Sequence, residues 1–332
     1  MAGRALAFSD GDLIGLVSKT FVPVAGDDWY QRRREDAEGE FFRKVADQGP
    51  RKGAGGSTRQ GIYCLTASGK LLAYRNSQNA GVMLDTLRAG LRRWNALPAA
   101  ERKPGAVKVP EQGKVDRDYT RTPPEGGLIL NSYTRILERD GKGGYARGTC
   151  ATPGGERAAR DHVWLTRAEW QSLVPARPRE GQRFAMPERI ARRLLRFHLV
   201  DNTRGEPNYW RPGDVRKYEM NWEVTGVSEG AIDLELTGQA LLATEADPKS
   251  ARRGYDVSLR GQLRYDRSKK AVTRFDVVAA GEHWGEGTFT RRARTGRTPL
   301  GVAFELSAGA EPADRVPPQA AREVSAYFAA GR

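Results

Sequence analysis

The chain has 332 residues and a formal net charge of +14 at pH 7. With 39% hydrophobic and 29% charged residues it suits a soluble globular protein and excludes a wholly disordered one. Two cysteines without CxxC spacing exclude a disulfide framework and a cysteine-built zinc site, and three histidines narrow metal chemistry further.

This length holds two domains, each with its own core. No run of about 18 apolar residues is present to span a membrane. Residues 1–10 lack the apolar stretch of about 7–15 residues that a signal peptide needs. The expected location is therefore cytoplasmic as written, or exported (periplasmic in a bacterium) if the N-terminus is truncated or already processed.

In chain order, residues 9–19 read as a short helix. Ser9 or Asp10 caps it, and Leu13, Ile14, Leu16 and Val17 form its apolar face. Phe21-Val22-Pro23-Val24 reads as a buried strand that ends at Asp27-Asp28. Trp29 and Tyr30 follow, either lining a binding groove or packing beneath the loop. Residues 38–48 carry Phe41, Phe42 and Val45 at helical spacing. The Gly- and Lys-rich stretch 50–57 contains no GxxxxGK[ST] phosphate cradle and reads as a mobile connection. Residues 61–74 read as a β-hairpin in which Cys64 is a buried, inert thiol. Over 82–95, Met83, Leu87, Leu91 and Trp94 stripe one face of a helix that packs on the sheet. Leu97-Pro98 closes a first domain over 1–98.

Three stretches of this region resemble a bacterial subgroup of the thioredoxin-like superfamily. Ala7-Phe8-Ser9-Asp10 with Leu13-Ile14 is similar to its S-F-x-D-x-x-[VL] segment, and Phe21-Val22-Pro23-Val24 with Asp27 to its N-F-V-x-V-x-x-D strand. The 60–70 stretch, QGIYCLTASGK, looks like its P-x-x-x-F-L-x-x-x-G-K hairpin. The resemblance covers roughly the first hundred residues and implies a thioredoxin-like α/β domain. It also implies a redox CxxC just upstream of Phe8, where this chain has no cysteine, and a facing cis-proline where Gln60 stands. Thiol–disulfide exchange needs a low-pKa thiolate with a resolving partner. The expectation is a redox-inactive relative, unless an upstream segment supplies the cysteines.

Residues 99–160 read as an extended Pro/Gly-rich connector, with one strand at 128–137 leading into a Gly-rich loop at 140–144. Thr166 and Glu169 have capping-box spacing, so a short helix starts there, and a second runs over 187–197. Beyond it, period-2 alternation sets in: Tyr218, Met220, Trp222, Val224; Ile232, Leu234, Leu236; Tyr255, Val257, Leu259, Leu263; Phe275, Val277; Leu300, Val302, Phe304. That pattern predicts an antiparallel β-rich domain over 161–310, as a curved sheet, sandwich or partial barrel packed by a few helices. The whole chain is then α+β, with a tail at 311–332 whose helix docks through Val324 and Phe328.

Two polar, aromatic stretches hold the candidate chemistry, 197–210 and 281–287. Brought together, His198, Glu206, His283 and Glu286, with Asp201, would suit Zn²⁺, Mn²⁺ or Fe²⁺. No HExxH or HxH spacing supports that set, and no G-x-S-x-G elbow supports a hydrolase. The same residues also serve as caps and turn formers with aromatic packing. As a third alternative, Asp201, Asn202, Arg204, Trp210 and Trp284 line a ligand pocket, with Trp29 and Tyr30 as candidates in the first domain. No cofactor is implied. The leading expectation is a redox-inactive, non-enzymatic protein with a ligand- or partner-binding β-rich domain. Its alternatives are a polyanion or nucleic-acid binder, drawn from the basic charge, and a metal-dependent enzyme using His198 and His283. Arginine pairs and triplets are scattered among acids, which suits solvated basic faces as well as it suits a polyanion partner.

Overall fold

A computed structural model describes residues 8, 10–108, 113–152 and 154–329. Residues 1–7 and Ser9, on which the leader reading, the alternative cap and part of the first resemblance motif rest, lie outside the described residues. The chain divides into two compact units, Arg4–Arg121 and a second that begins at Thr122.

In the first unit, α1 (Gly11–Thr20) is capped by Asp10, whose carboxylate accepts the Leu13 N–H at 2.9 Å, and Leu13 is fully buried. The strand expected at 21–24 does not form. Residues 21–27 have no regular secondary structure, and Val22 and Val24 are 90% and 89% exposed. An apolar, β-branched run becomes a strand only where a neighbour offers its ladder, and Pro23 has no N–H to give.

The short helix α2 (Asp28–Gln31) and α3 (Ala37–Ala46) start on Asp27 and Asp36, which cap them through their carboxylates. The hairpin forms as expected, from β1 (Ile62–Leu65) and β2 (Leu71–Arg75), with Cys64 opposite Ala73. Onto it packs α4 (Ala80–Asn95), which buries Met83, Leu87 and Gly90, while Leu91 and Trp94 are only half-buried. A Cβ at Gly90 would stand 2.7 Å from the Cys64 Cβ, so helix and strand meet at a distance only glycine permits. A short helix α5 (Ala99–Arg102) follows. The chain then folds back: Asp116 accepts the Glu35 N–H at 2.8 Å and donates its own N–H to Asp36 at 2.9 Å. Part of the expected connector therefore belongs to this unit, whose boundary lies at 121 rather than 98.

The second unit is built on one eight-stranded antiparallel sheet. Its strands are β3 (Leu128–Ile136), β4 (Ala159–Leu165), β5 (Arg183–Ala185), β6 (Val215–Val227), β7 (Ala231–Ala243), β8 (Gly254–Asp266), β9 (Ala271–Trp284) and β10 (Thr298–Leu306), in the order β4-β3-β10-β9-β8-β7-β6-β5. A single sheet replaces the sandwich alternative. Among the described residues its edge strands β4 and β5 do not pair with each other, so it is not a closed barrel. β3 lies between β4 and β10, which corrects the connector reading of 128–136.

The alternation predicted from sequence holds across the sheet. Met220, Trp222, Val224, Leu234, Leu236, Val257, Leu259, Phe275, Val277, Val302 and Phe304 are buried. They share one core with Ile190 and Ala191 of α7 (Glu188–Arg193) and with Leu194 and Leu195 of the π-turn that extends it, Leu194–His198. Each such side chain contributes about 1.5–3 kcal/mol by leaving water. The outward positions of β6–β9 are charged, but carboxylates (Glu219, Glu223, Asp233, Glu235, Asp256) outnumber cations there, and Arg264 is paired with Asp233 at 2.9 Å. The basic surplus is not on this face.

The tail docks through Phe328, as expected, which packs against a buried cluster that also takes in Ala320, Ala321 and Tyr327. Ala320, Ala321 and Tyr327 are buried around the 3₁₀ turn Gln319–Glu323 and α8 (Val324–Phe328), whereas Val324 and Phe328 are half-buried. Among the described residues no helix is long and apolar enough to cross a membrane.

Candidate functional site

The edge strand β4 is closed off by a buried polar cluster. The capping box begins α6 (Arg167–Gln171), with Thr166 and Glu169 exchanging side-chain and backbone bonds. The Glu169 carboxylate also takes two hydrogen bonds from Arg193, at 2.7 and 2.5 Å, and Arg193 is fully buried. Burial acts to raise the Glu169 carboxyl, but Arg193 and the Thr166 N–H hold it below its ordinary range. Arg193 donates further to the carbonyls of Trp164 and Tyr327, both at 3.0 Å, and lies over the Tyr327 and Phe328 rings. The Tyr327 hydroxyl accepts the Trp164 N–H at 3.1 Å and lies 3.0 Å from His198 Nε2. The N–H and C=O of Trp164 on the sheet edge are thereby satisfied from within the chain.

His198 belongs to this cluster and not to a metal set. Burial drives its pKa down to about 3, helped by the nearby charge of Arg193, so the imidazole is neutral. His162 on β4 is likewise held down, to about 4, mainly by burial.

A second cluster forms where 201–204 meets the end of β9, and it is the one place where the expected residues converge. Asp201 accepts from the Thr203 N–H and hydroxyl at 3.0 and 2.7 Å and from both Nε and Nη2 of Arg204. Burial acts to raise the Asp201 carboxyl, but His283, Arg204 and Thr203 hold it down, so it stays ionised. His283 is buried and its pKa falls to about 4 through burial, against the pull of Asp201. Asn202 is buried beside them.

The remaining candidates are dispersed. Glu206 pairs with Arg322 at 2.7 Å, and Glu286 accepts the Ala293 N–H at 3.3 Å. Among the described residues no group of three or more His, Cys, Asp or Glu is placed to hold a metal ion, so His198, Glu206, His283 and Glu286 do not form a ligand set. Trp210 and Trp284 are buried, donating to the carbonyls of Leu199 and Ala251 at 2.8 Å, with Arg253 and Arg297 stacked 4.0 Å over their rings. Trp29 is packed among neighbouring side chains. Arg33 lies 4.4 Å over its ring, and Tyr30 and Tyr119 pack at 5.0 and 5.6 Å.

Two surface features that carry no spacing signal were missed from sequence. A groove of about 390 Å³ lies between the α6 region and the β8–β9 turn, lined by Trp170, Val174, Pro175, Pro178, Tyr265 and Arg267. The Trp170 and Tyr265 rings stand 6.5 Å apart on it, and the buried Nε of Arg267 has no hydrogen-bond partner among the described residues. At the other end of β9, the 285–297 loop carries Phe289 at 66% exposure next to the exposed Arg291 and Arg292. No protein-family model matches the chain, and comparisons with curated proteins and with solved structures return no match either.

Proposed function

We propose that the protein is a non-catalytic recognition protein whose β-rich unit takes a ligand or partner group in the groove beside Arg267. One observation carries this reading. Arg267 lines a groove of ligand-sized volume together with Trp170, Tyr265 and aliphatic side chains, and its buried Nε has no hydrogen-bond partner among the described residues. An aromatic or aliphatic body bearing a carboxylate complements both elements, apolar surface against Trp170 and Tyr265 and the anion against Arg267. The buried pairs Glu169–Arg193 and Asp201–Arg204 are satisfied by each other, which supports a structural role for those charges.

The first unit is read as a support module, a thioredoxin-like scaffold lacking the redox pair. Support for that comes from the 60–70 hairpin with α4 packed across it, and from Cys64, whose thiol burial pushes up to about 11. The segment that would supply the central strand is unpaired, so the likeness rests on hairpin and helix alone.

N-acetyl-phenylalanine, titrated against its amide while the fluorescence of Trp170 is followed, tests the groove. The carboxylate binds more tightly than the amide, and Arg267→Ala erases the difference. Equal or absent binding of both compounds would overturn the reading. On the first unit, insulin disulfide reduction gives no turnover; turnover lost only in Cys64→Ser would sink the redox-inactive reading.

A further inference from the structure

The 285–297 loop is separated from the groove by the length of β9, on the order of 45 Å for a strand of this length. It is irregular but firmly held. Thr288 N–H donates to Asn208 Oδ1 at 2.7 Å, and Gly287 N–H to Thr290 Oγ1 at 2.8 Å. Arg204 Nη1 donates to the Arg291 carbonyl at 2.9 Å, and Arg294 to the Leu137 carbonyl at 2.7 Å. Gly205 allows the close seat of this loop, since a Cβ there would fall 2.0 Å from the Phe289 carbonyl oxygen. Thr290 is buried, so the backbone on either side of Phe289 is anchored while its ring stands in solvent.

Two cations stand close to that ring in sequence. Arg291 and Arg292 are exposed, and among the described residues no carboxylate pairs with either. The loop's own acid, Glu286, is turned onto the Ala293 N–H. An anchored, exposed aromatic followed after one buried residue by two unpaired guanidinium groups matches one stacked base flanked by backbone phosphates. Anionic lipid shares the charge but needs a broader apolar face. Phe289 is the one exposed large apolar side chain of this loop, and hydroxyl-bearing Thr288 and Thr290 flank it.

We propose that this loop binds single-stranded nucleic acid, with Phe289 stacking on a base and Arg291 and Arg292 contacting phosphates. Duplex is the weaker ligand, because its bases are already stacked. The site is independent of the groove at Arg267 and leaves that reading untouched if it fails.

Fluorescence anisotropy of the full chain with a labelled single strand of about 12 nucleotides tests it, beside the duplex of the same sequence. Phe289→Ala weakens single-strand binding about 5- to 100-fold and leaves its salt dependence unchanged. The pair Arg291→Ala and Arg292→Ala instead lowers the slope of log K against log salt by about 1.4, at roughly 0.7 per phosphate on single strands. Circular dichroism melts of both variants match the parent, since all three side chains are solvent-facing. No binding at about 50 mM salt overturns the proposal. So does binding that is equal for duplex and single strand and indifferent to Phe289→Ala. Phe289-dependent sedimentation with phosphatidylserine vesicles, in the absence of oligonucleotide binding, overturns it in favour of a lipid surface.

Discussion

The Tyr327 hydroxyl sits between the Trp164 N–H, which it accepts at 3.1 Å, and His198 Nε2, 3.0 Å away. The hydroxyl accepts the Trp164 hydrogen and shares a second hydrogen bond with the neutral imidazole at Nε2. One side chain thus joins the tail, the sheet edge and the π-turn after α7.

Tyr327→Phe keeps the ring and removes both bonds. It is expected to cost about 1–3 kcal/mol, the range for leaving buried polar groups unsatisfied. Tyr327→Ala adds the loss of a fully buried ring, about 3–5 kcal/mol in all. Urea denaturation of both variants checks the order. Equal stability of the phenylalanine variant and the parent would show that water already serves these groups.

Breaking the Glu169–Arg193 pair from either side leaves a buried charge alone. Arg193→Met and Glu169→Leu are each expected to lose about 3–5 kcal/mol, and the double variant less than the sum of the two. A double-mutant cycle reads the coupling.

Acid should weaken the second unit through its histidines. His198 and His283 are held down to about 3 and about 4, against an unfolded value of about 6.5. Their contribution is whole above pH 6.5 or so and is lost as pH falls toward the folded values, at up to about 1.4 kcal/mol per pH unit for each. Asp161 runs the other way. Burial pushes its carboxyl up to about 6, so its contribution is whole below the unfolded carboxylate value and is lost as pH rises through about 6. With His162, also held down to about 4, three histidines outweigh one carboxyl, and denaturation midpoints should fall between about pH 7 and about pH 4.5. His198→Gln, whose side chain can still face Tyr327, should flatten that decline.

Thiol titration separates the two cysteines. Cys64 is buried with its thiol raised to about 11, and Cys150 is half-buried. In native protein one thiol is expected to react with a disulfide reagent and the second only on unfolding. Two equally fast thiols would contradict the packing of α4 on Cys64.

The sheet could be read from sequence because period-2 burial leaves a local trace, as in Met220-Asn221-Trp222-Glu223-Val224. Helix starts were legible for the same reason: Asp10 and Thr166 act on residues three positions away. The run at 21–24 misled because strand composition is local and strand pairing is not. The Arg193 cluster left no such trace. Its partners lie 24 and 134 positions away, and Glu169, legible as a cap, showed nothing of its second role. Asp201 and His283 were legible as polar residues at element ends, but their meeting depends on β9 delivering His283 to the 201–204 turn. Arg267 and Phe289 stand out only once their surroundings show that one lacks a partner and the other is exposed.

The closure of β4 by Tyr327 also has a dimension in time. Trp164 and Tyr327 are 163 positions apart, so on a ribosome moving at about 5–20 residues per second the strand is made roughly 8–33 s before its cover. During that interval the nascent sheet presents a bare pairing edge, and anything that stalls synthesis past β10 prolongs it. Slow or stalled translation is thus a condition under which this edge is open to mispairing.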